Sequence, residues 1–106
     1  MNFYKSLKAK EFATHYLNNP NAVLVDVRTE KEYNKSNIEE SVNIVYTDKE
    51  AFLKLDKGKD YYLHCRVGGR SAVAAFILSQ AGHENIFNLN DDVENFISEL
   101  EEAKTF

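Results

Sequence analysis

Cys65 is the only cysteine in the chain, and it opens the run Cys65-Arg66-Val67-Gly68-Gly69-Arg70-Ser71. A strand-like apolar segment leads into this run and a helix-like apolar segment leads out. Glycines permit backbone conformations closed to larger residues, so a tight turn there can aim several N–H groups at one point and form an anion nest. Ser71 and the first turn of the following helix add unpaired N–H groups and a partial positive charge. Arg66 and Arg70 bring permanent positive charge. Such surroundings are expected to lower the thiol pKa from about 8.5 towards the range of roughly 3.5–7.5 known for activated cysteines. A reduction of about two units corresponds to about 2.7 kcal/mol in favour of the thiolate. A lone cysteine is commonly an inert core residue, a Gly-Gly pair a simple turn, and two arginines a solvated face. Finding all of them within seven residues, between strand and helix, favours a nucleophile.

The flanking pattern says what must position this loop. Phe3 to Leu7 reads as a short strand, and Ala9 to Leu17 as a helix with Ala9, Phe12, Ala13, Tyr16 and Leu17 on one face. Asn18-Asn19-Pro20-Asn21 ends it. The apolar run Ala22–Val25, continuing to Asp26-Val27, reads as a strand covered on both faces, as in a parallel sheet. Thr29 to Lys35 predicts a short helix with a Thr29–Glu32 capping box. Val42 to Val45 is a further strand, and Thr47 or Asp48 caps a helix reaching about Leu55. Tyr61-Tyr62-Leu63-His64 delivers Cys65 at its carboxyl end. The helix from Ser71 to Gln80 is apolar almost all round and is expected to be well buried, with Gly82 as its closing residue. Ile86–Leu89 is a last strand, and Asp91 or Asp92 begins a helix carrying Val93, Phe96, Ile97 and Leu100 inward. This alternation predicts an α/β fold of about five mainly parallel strands flanked by helices on both sides. Ligands in such sheets bind beyond the strands' carboxyl ends, where Asp26 and Cys65 both fall.

Length and composition bound the rest. A chain of 106 residues is read as one domain, and its 43% hydrophobic content with 7 Phe and 6 Tyr suits a compact core. A formal net charge of -4 argues against nucleic acid or anionic lipid as a partner. A single cysteine excludes an intrachain disulfide and a multi-cysteine metal site. The amino terminus lacks an apolar signal stretch and no run is long enough to span a bilayer, so a reducing, cytoplasmic location is expected. His64 should point away from Cys65 by strand alternation and is read as a packed histidine, while His15 and His83 are read as surface residues.

The loop resembles the active-site loop of the rhodanese domain, in particular that of the small single-domain sulfurtransferases. Leu24-Val25-Asp26-Val27-Arg28-Thr29 with Glu32-Tyr33 resembles the family's early Asp-Val-Arg motif. Asn37-Ile38 with Ser41-Val42-Asn43-Ile44, and Ala81 through Leu89, resemble its later segments in the same order along essentially the whole chain. The resemblance implies a three-layer rhodanese-like fold over residues 1–106. It also implies a sulfurtransferase in which Cys65 takes sulfane sulfur from a donor such as thiosulfate or a persulfide and passes it to cyanide or a thiol, with a sulfur-relay protein as a further possible partner. No cofactor or metal is implied. By the same resemblance Arg66, Val67, Gly68, Gly69, Arg70 and Ser71 hold the substrate and persulfide. Arg70 also braces the loop, and Asp26 and Arg28 support it, with Arg28 able to line the entrance.

Two other functions fit the class. Phosphatases and arsenate reductases of this fold use a cysteine-arginine loop one residue longer; here only Arg66 to Gly69 separate Cys65 from Arg70. A non-enzymatic persulfide-carrier or protein-interaction module is the other. The sequence also departs from the family pattern. Asn37 replaces a frequent histidine and Glu39-Glu40-Ser41 a Pro-Gly-small turn, while Asn90-Asp91-Asp92 stands where many members have Gly-Gly. Asn90 and Asp91 can each still supply a left-handed turn residue, and Asp91 or Asp92, on reaching the mouth, would offset part of the arginine charge.

Overall fold

A computed structural model describes residues 4–105. Its strands are β1 (Lys5–Leu7), β2 (Ala22–Asp26), β3 (Val42–Asn43), β4 (Asp60–His64) and β5 (Ile86–Leu89). Its helices are α1 (Ala9–Leu17), α2 (Glu30–Lys35), α3 (Lys49–Leu53), α4 (Gly69–Gln80) and α5 (Val93–Lys104). The strands pair in the order β1-β5-β4-β2-β3, every pairing parallel. Of the strand expected over Phe3 to Leu7, Phe3 lies outside the described residues.

The continuous apolar character of β2, β4 and β5 follows from burial on both sheet faces. Along β4, Tyr61, Leu63 and Cys65 enter one core with Val25, Phe52, Ala74, Ala75, Leu78 and Ile86, beneath α3 and α4. Tyr62 enters the other with Phe12, Leu24, Phe87, Phe96 and Leu100, beneath α1 and α5. Phe12 sits edge-on to Phe96 at 4.9 Å and to Tyr62 at 5.5 Å, locking α1 to α5 on one face of the sheet. The result is a three-layer α/β fold with a five-stranded parallel centre.

Local signals set most boundaries. The Thr29–Glu32 capping box forms in both directions at the start of α2. Asp48, not Thr47, caps α3, and Asp92, not Asp91, caps α5. Gly82 closes α4 with φ 94°.

Several expectations need correction, among them Leu17, which is about half exposed rather than on the packed face of α1. β3 stops at Asn43, because the Arg28 N–H that would continue the ladder is taken by the Asp26 carboxylate, and the Tyr46 N–H bonds to the Val27 carbonyl instead. α3 ends at Leu53, two residues short of Leu55, with Lys54 as its cap. α4 is not well buried all round: it lies on the outside of the sheet, so only the face with Ser71, Ala74, Ala75 and Leu78 packs, and Val73 and Phe76 remain about half exposed. His83 is buried, edge-on to Tyr61 at 5.4 Å, rather than a surface residue. Among the described residues no non-glycine residue takes positive φ, so neither Asn90 nor Asp91 supplies a left-handed turn. The turn is held instead by side-chain acceptance, Asp91 taking the N–H of Ala9 and the amide of Asn95.

Candidate active site

β4 is the middle strand, and Cys65 follows its last residue at the carboxyl edge of the sheet. β2 ends alongside, with Asp26 in register with His64. The expectation that Asp26 and Cys65 reach one edge therefore holds, although the two side chains do different things.

The chain turns sharply after Cys65. Gly68 takes φ 110°, and a Cβ placed there would lie 2.8 Å from the Leu89 carbonyl, so the turn requires glycine for both conformation and space. Gly69 is otherwise: it is already helical, and a Cβ on it meets nothing within 4 Å. The two glycines of the motif are thus unequal, and α4 begins at Gly69 rather than Ser71.

The thiol sits in the resulting hollow with 2% of its surface exposed. Its Sγ accepts the Gly68 N–H at 3.1 Å and lies 3.5 Å from the Ser71 hydroxyl. Burial pushes the Cys65 pKa up. Hydrogen bonds from the Ser71 side chain and from the N–H groups of Ser71, Gly68 and Val67 outweigh it, so the pKa lies below the ordinary thiol value. The thiolate is therefore held mainly by backbone and hydroxyl dipoles, and the arginines are not the principal cause.

Ser71 has one hydroxyl proton and two takers. It donates to Oδ1 of Asn88, a fully buried residue of β5, whose amide also reaches the Gly68 carbonyl at 3.4 Å and Ser6 Oγ at 3.3 Å. With a neutral thiol, S–H donates to Ser71 and Ser71 to Asn88. On ionisation the Ser71 proton is better placed on the sulfur, at the expense of Asn88. Asn88 was not singled out in the sequence, where it reads as one polar position in a strand. Its signal was a polar side chain inside an otherwise apolar run.

The arginines divide. Arg70 makes a fork-on-fork pair with Glu32, Nη1–Oε1 2.7 Å and Nη2–Oε2 3.1 Å, tying the loop to α2. Arg66 is exposed and has no ion-pair partner among the described residues. Arg28 grips the fully buried Asp26 carboxylate through Nε and Nη2, the shortest contact being 2.7 Å, and donates to the Ser36 carbonyl. Asp26 and Arg28 hold the β2–α2 connection. Arg28 lines a separate cavity of about 40 Å³ with His64, Asn37 and Glu94, and Cys65 is not part of that lining.

His64 is buried, and both ring nitrogens lack a hydrogen-bond partner. Desolvation lowers its pKa from 6.5 to about 4, so the ring is neutral near pH 7. Asp92 stands beside the loop, since the N–H of its neighbour Val93 donates to the Arg66 carbonyl at 2.8 Å, and its carboxylate can offset the arginine charge as considered from the sequence. Asp91 is engaged at the start of α1, and Asp92 accepts from Glu94 N–H at the start of α5. Val67, 63% exposed, forms the apolar tip of the loop.

An α/β domain with its one cysteine at the sheet's carboxyl edge, inside a backbone-lined anion loop, is the class that fold and site define. The model of the rhodanese-like domain family matches residues 8–99, and the chain belongs to that family. A tRNA sulfurtransferase of Thermoplasma acidophilum is 32% identical over 80 residues, covering 76% of this chain and 16% of that protein. This chain thus spans about one sixth of that relative's length. An uncharacterized protein of Rickettsia conorii is 31% identical over 94 residues, 74% of each chain. The crystal structure of a rhodanese-related protein from Thermoplasma volcanium superposes with a TM-score of 0.73 at 31% identity, covering 91% of this chain and 93% of that one. No helix among the described residues is long and apolar enough to cross a membrane.

Proposed function

We propose that the protein is a thiosulfate sulfurtransferase-like enzyme with Cys65 as its nucleophile. The observation that carries this reading is the bond from Gly68 N–H to Sγ at 3.1 Å, within a loop whose N–H groups and Ser71 hydroxyl favour the thiolate. The thiolate attacks the outer sulfur of thiosulfate. A new S–S bond forms, the donor's S–S bond breaks, and sulfite leaves with the electron pair. Cys65 then carries a persulfide anion, stabilised by the Val67, Gly68 and Ser71 N–H groups in the manner of an oxyanion hole. Cyanide or a thiolate attacks that outer sulfur, and the Cys65 thiolate departs with the bonding pair. Sulfur moves with no net oxidation of the protein, and no cofactor is needed.

Arg66 draws anionic donors to the mouth, Arg70 braces the loop, and Asp26 with Arg28 holds the neighbouring β2–α2 connection. The relative named a tRNA sulfurtransferase is consistent with sulfur transfer as the shared chemistry. The exposed Val67 favours an acceptor or donor presented by another protein as a second reading, in which the domain acts as a persulfide carrier. The pure protein is expected to convert thiosulfate and cyanide to thiocyanate, and C65A to have no activity. Wild type that turns over neither cyanide nor thiol acceptors but hydrolyses an aryl phosphate would overturn the reading in favour of a phosphatase.

A further inference from the structure

All three arginines of the chain lie in the segments around Cys65. Two are already matched by fixed carboxylates. Arg28 is spent on Asp26, and Arg70 on Glu32. Glu32 is not a mobile surface acid that can swing aside. Its Oε1 also accepts from the Thr29 hydroxyl at 2.9 Å and the Thr29 N–H at 3.2 Å, while its own N–H donates to Thr29 Oγ1. The capping box that starts α2 therefore aims the carboxylate, and the carboxylate aims and neutralises the arginine that begins α4. One residue further on is Ser71, whose hydroxyl faces the sulfur. Arg66 is left as the loop's cation without a carboxylate partner among the described residues.

Beside a Cys65 thiolate, and with the Asp92 carboxylate next to Val93, whose N–H bonds the Arg66 carbonyl, that single unpaired charge leaves the mouth with no excess of positive charge. Thiosulfate brings two negative charges towards it. We infer that Glu32 is a specificity-determining positioning residue: by pairing with Arg70 it weakens the site's attraction for dianionic donors and turns it towards sulfane donors of lower charge. The inference rests on the sulfur-transfer reading for the word donor, but the charge of the mouth can be measured without any sulfur transfer.

Glu32→Gln removes one negative charge and little else. Gln keeps an oxygen for Thr29 and Arg70, and serves in a capping box as Glu does. Two reagent pairs read the result, with each rate taken on its high-pH plateau so that thiolate fraction drops out. Iodoacetate and iodoacetamide alkylate Cys65 by the same displacement but differ by one charge. Thiosulfate and methanethiosulfonate both yield the Cys65 persulfide, releasing sulfite or methanesulfinate with the electron pair, and again differ by one charge. One partly screened unit charge is expected to raise the iodoacetate to iodoacetamide rate ratio in E32Q by about 3–10-fold at low salt. The thiosulfate to methanethiosulfonate ratio should rise by a similar factor, and both gains should shrink at high salt.

Arg70→Lys separates charge from geometry, because it breaks the fork while leaving the net charge intact. Both ratios should stay near wild type. Unchanged ratios in folded E32Q, or an R70K shift as large as that of E32Q, would overturn the inference. A shifted alkylation ratio with no persulfide from either donor would support the charge-setting role of Glu32 and contradict the sulfur-transfer reading instead.

Discussion

Ser71→Ala tests the electrostatic design of the loop at one atom. The substitution removes the hydroxyl 3.5 Å from Sγ and leaves the Ser71, Gly68 and Val67 N–H groups in place. A hydrogen bond to a charged group is worth roughly 1.5–3 kcal/mol. At about 1.36 kcal/mol per pKa unit, its loss raises the thiol pKa by about 1–2 units. The long contact and the competition from Asn88 for the same proton place the effect at the lower end, about 1 unit. Below the pKa, alkylation at a given pH should then slow about tenfold, with the plateau rate nearly unchanged. Asn88 Oδ1 loses its donor as well, which costs about 1–2 kcal/mol of stability. Asn88→Ala acts in the opposite sense: the Ser71 proton is released to the sulfur, and the pKa falls. The assay is the pH profile of iodoacetamide alkylation, with thermal unfolding to show that each variant is folded. Equal thiol pKa values in wild type, S71A and N88A would refute the proton competition.

Three further outcomes follow from the same geometry. Gly68→Ala should destabilise the protein by about 1–3 kcal/mol and slow alkylation, because positive φ and the close Leu89 carbonyl both resist a side chain, whereas Gly69→Ala should leave both nearly unchanged; chemical denaturation of the pair checks it. His64 has a folded pKa of about 4 against 6.5 unfolded, so the unfolded chain takes up a proton first as pH falls. Stability should therefore drop by about 2 kcal/mol between about pH 7 and 5 on this account. Asp26, Arg28 and Glu94 lie around that ring, and buried His83 adds to the loss in the same direction, so the measurement is the difference in slope between wild type and H64F, which should be flatter. Glu32 has its pKa lowered from 4.5 to about 2, first by the hydrogen bond from Arg70, so its contribution is complete above 4.5 and fades as pH falls towards 2. Acid unfolding of E32Q should lack that component.

Much of this was legible in the residues themselves. The apolar runs ending at Asp26 and His64 announced parallel strands buried on both faces, and the glycine turn after Cys65 announced the loop. Capping signals placed α2, α3 and α5 to within a residue or two. Periodicity failed where it reports composition rather than packing. Val73 and Phe76 are apolar yet outward, because a helix on the outer layer has the sheet on one side only. What remained hidden depends on pairing across the fold. Glu32 and Arg70 stand 38 positions apart, and Ser71 and Asn88 stand 17 apart. Only the stacking of α2, α4 and β5 around one edge brings them together. The source of the thiol shift was half legible: the N–H nest and Ser71 expected from the glycine turn supply it, whereas the pairing of Arg70 with Glu32 could not be read from the sequence.

The central claim is that Cys65 carries sulfur as a persulfide. Incubation with thiosulfate followed by intact-mass analysis should add one sulfur, about 32 Da, to wild type and nothing to C65A. Cyanide should remove the added mass and release thiocyanate. Wild type that stays unmodified across thiosulfate, methanethiosulfonate and an inorganic polysulfide, or an adduct that persists in C65A, would contradict the account.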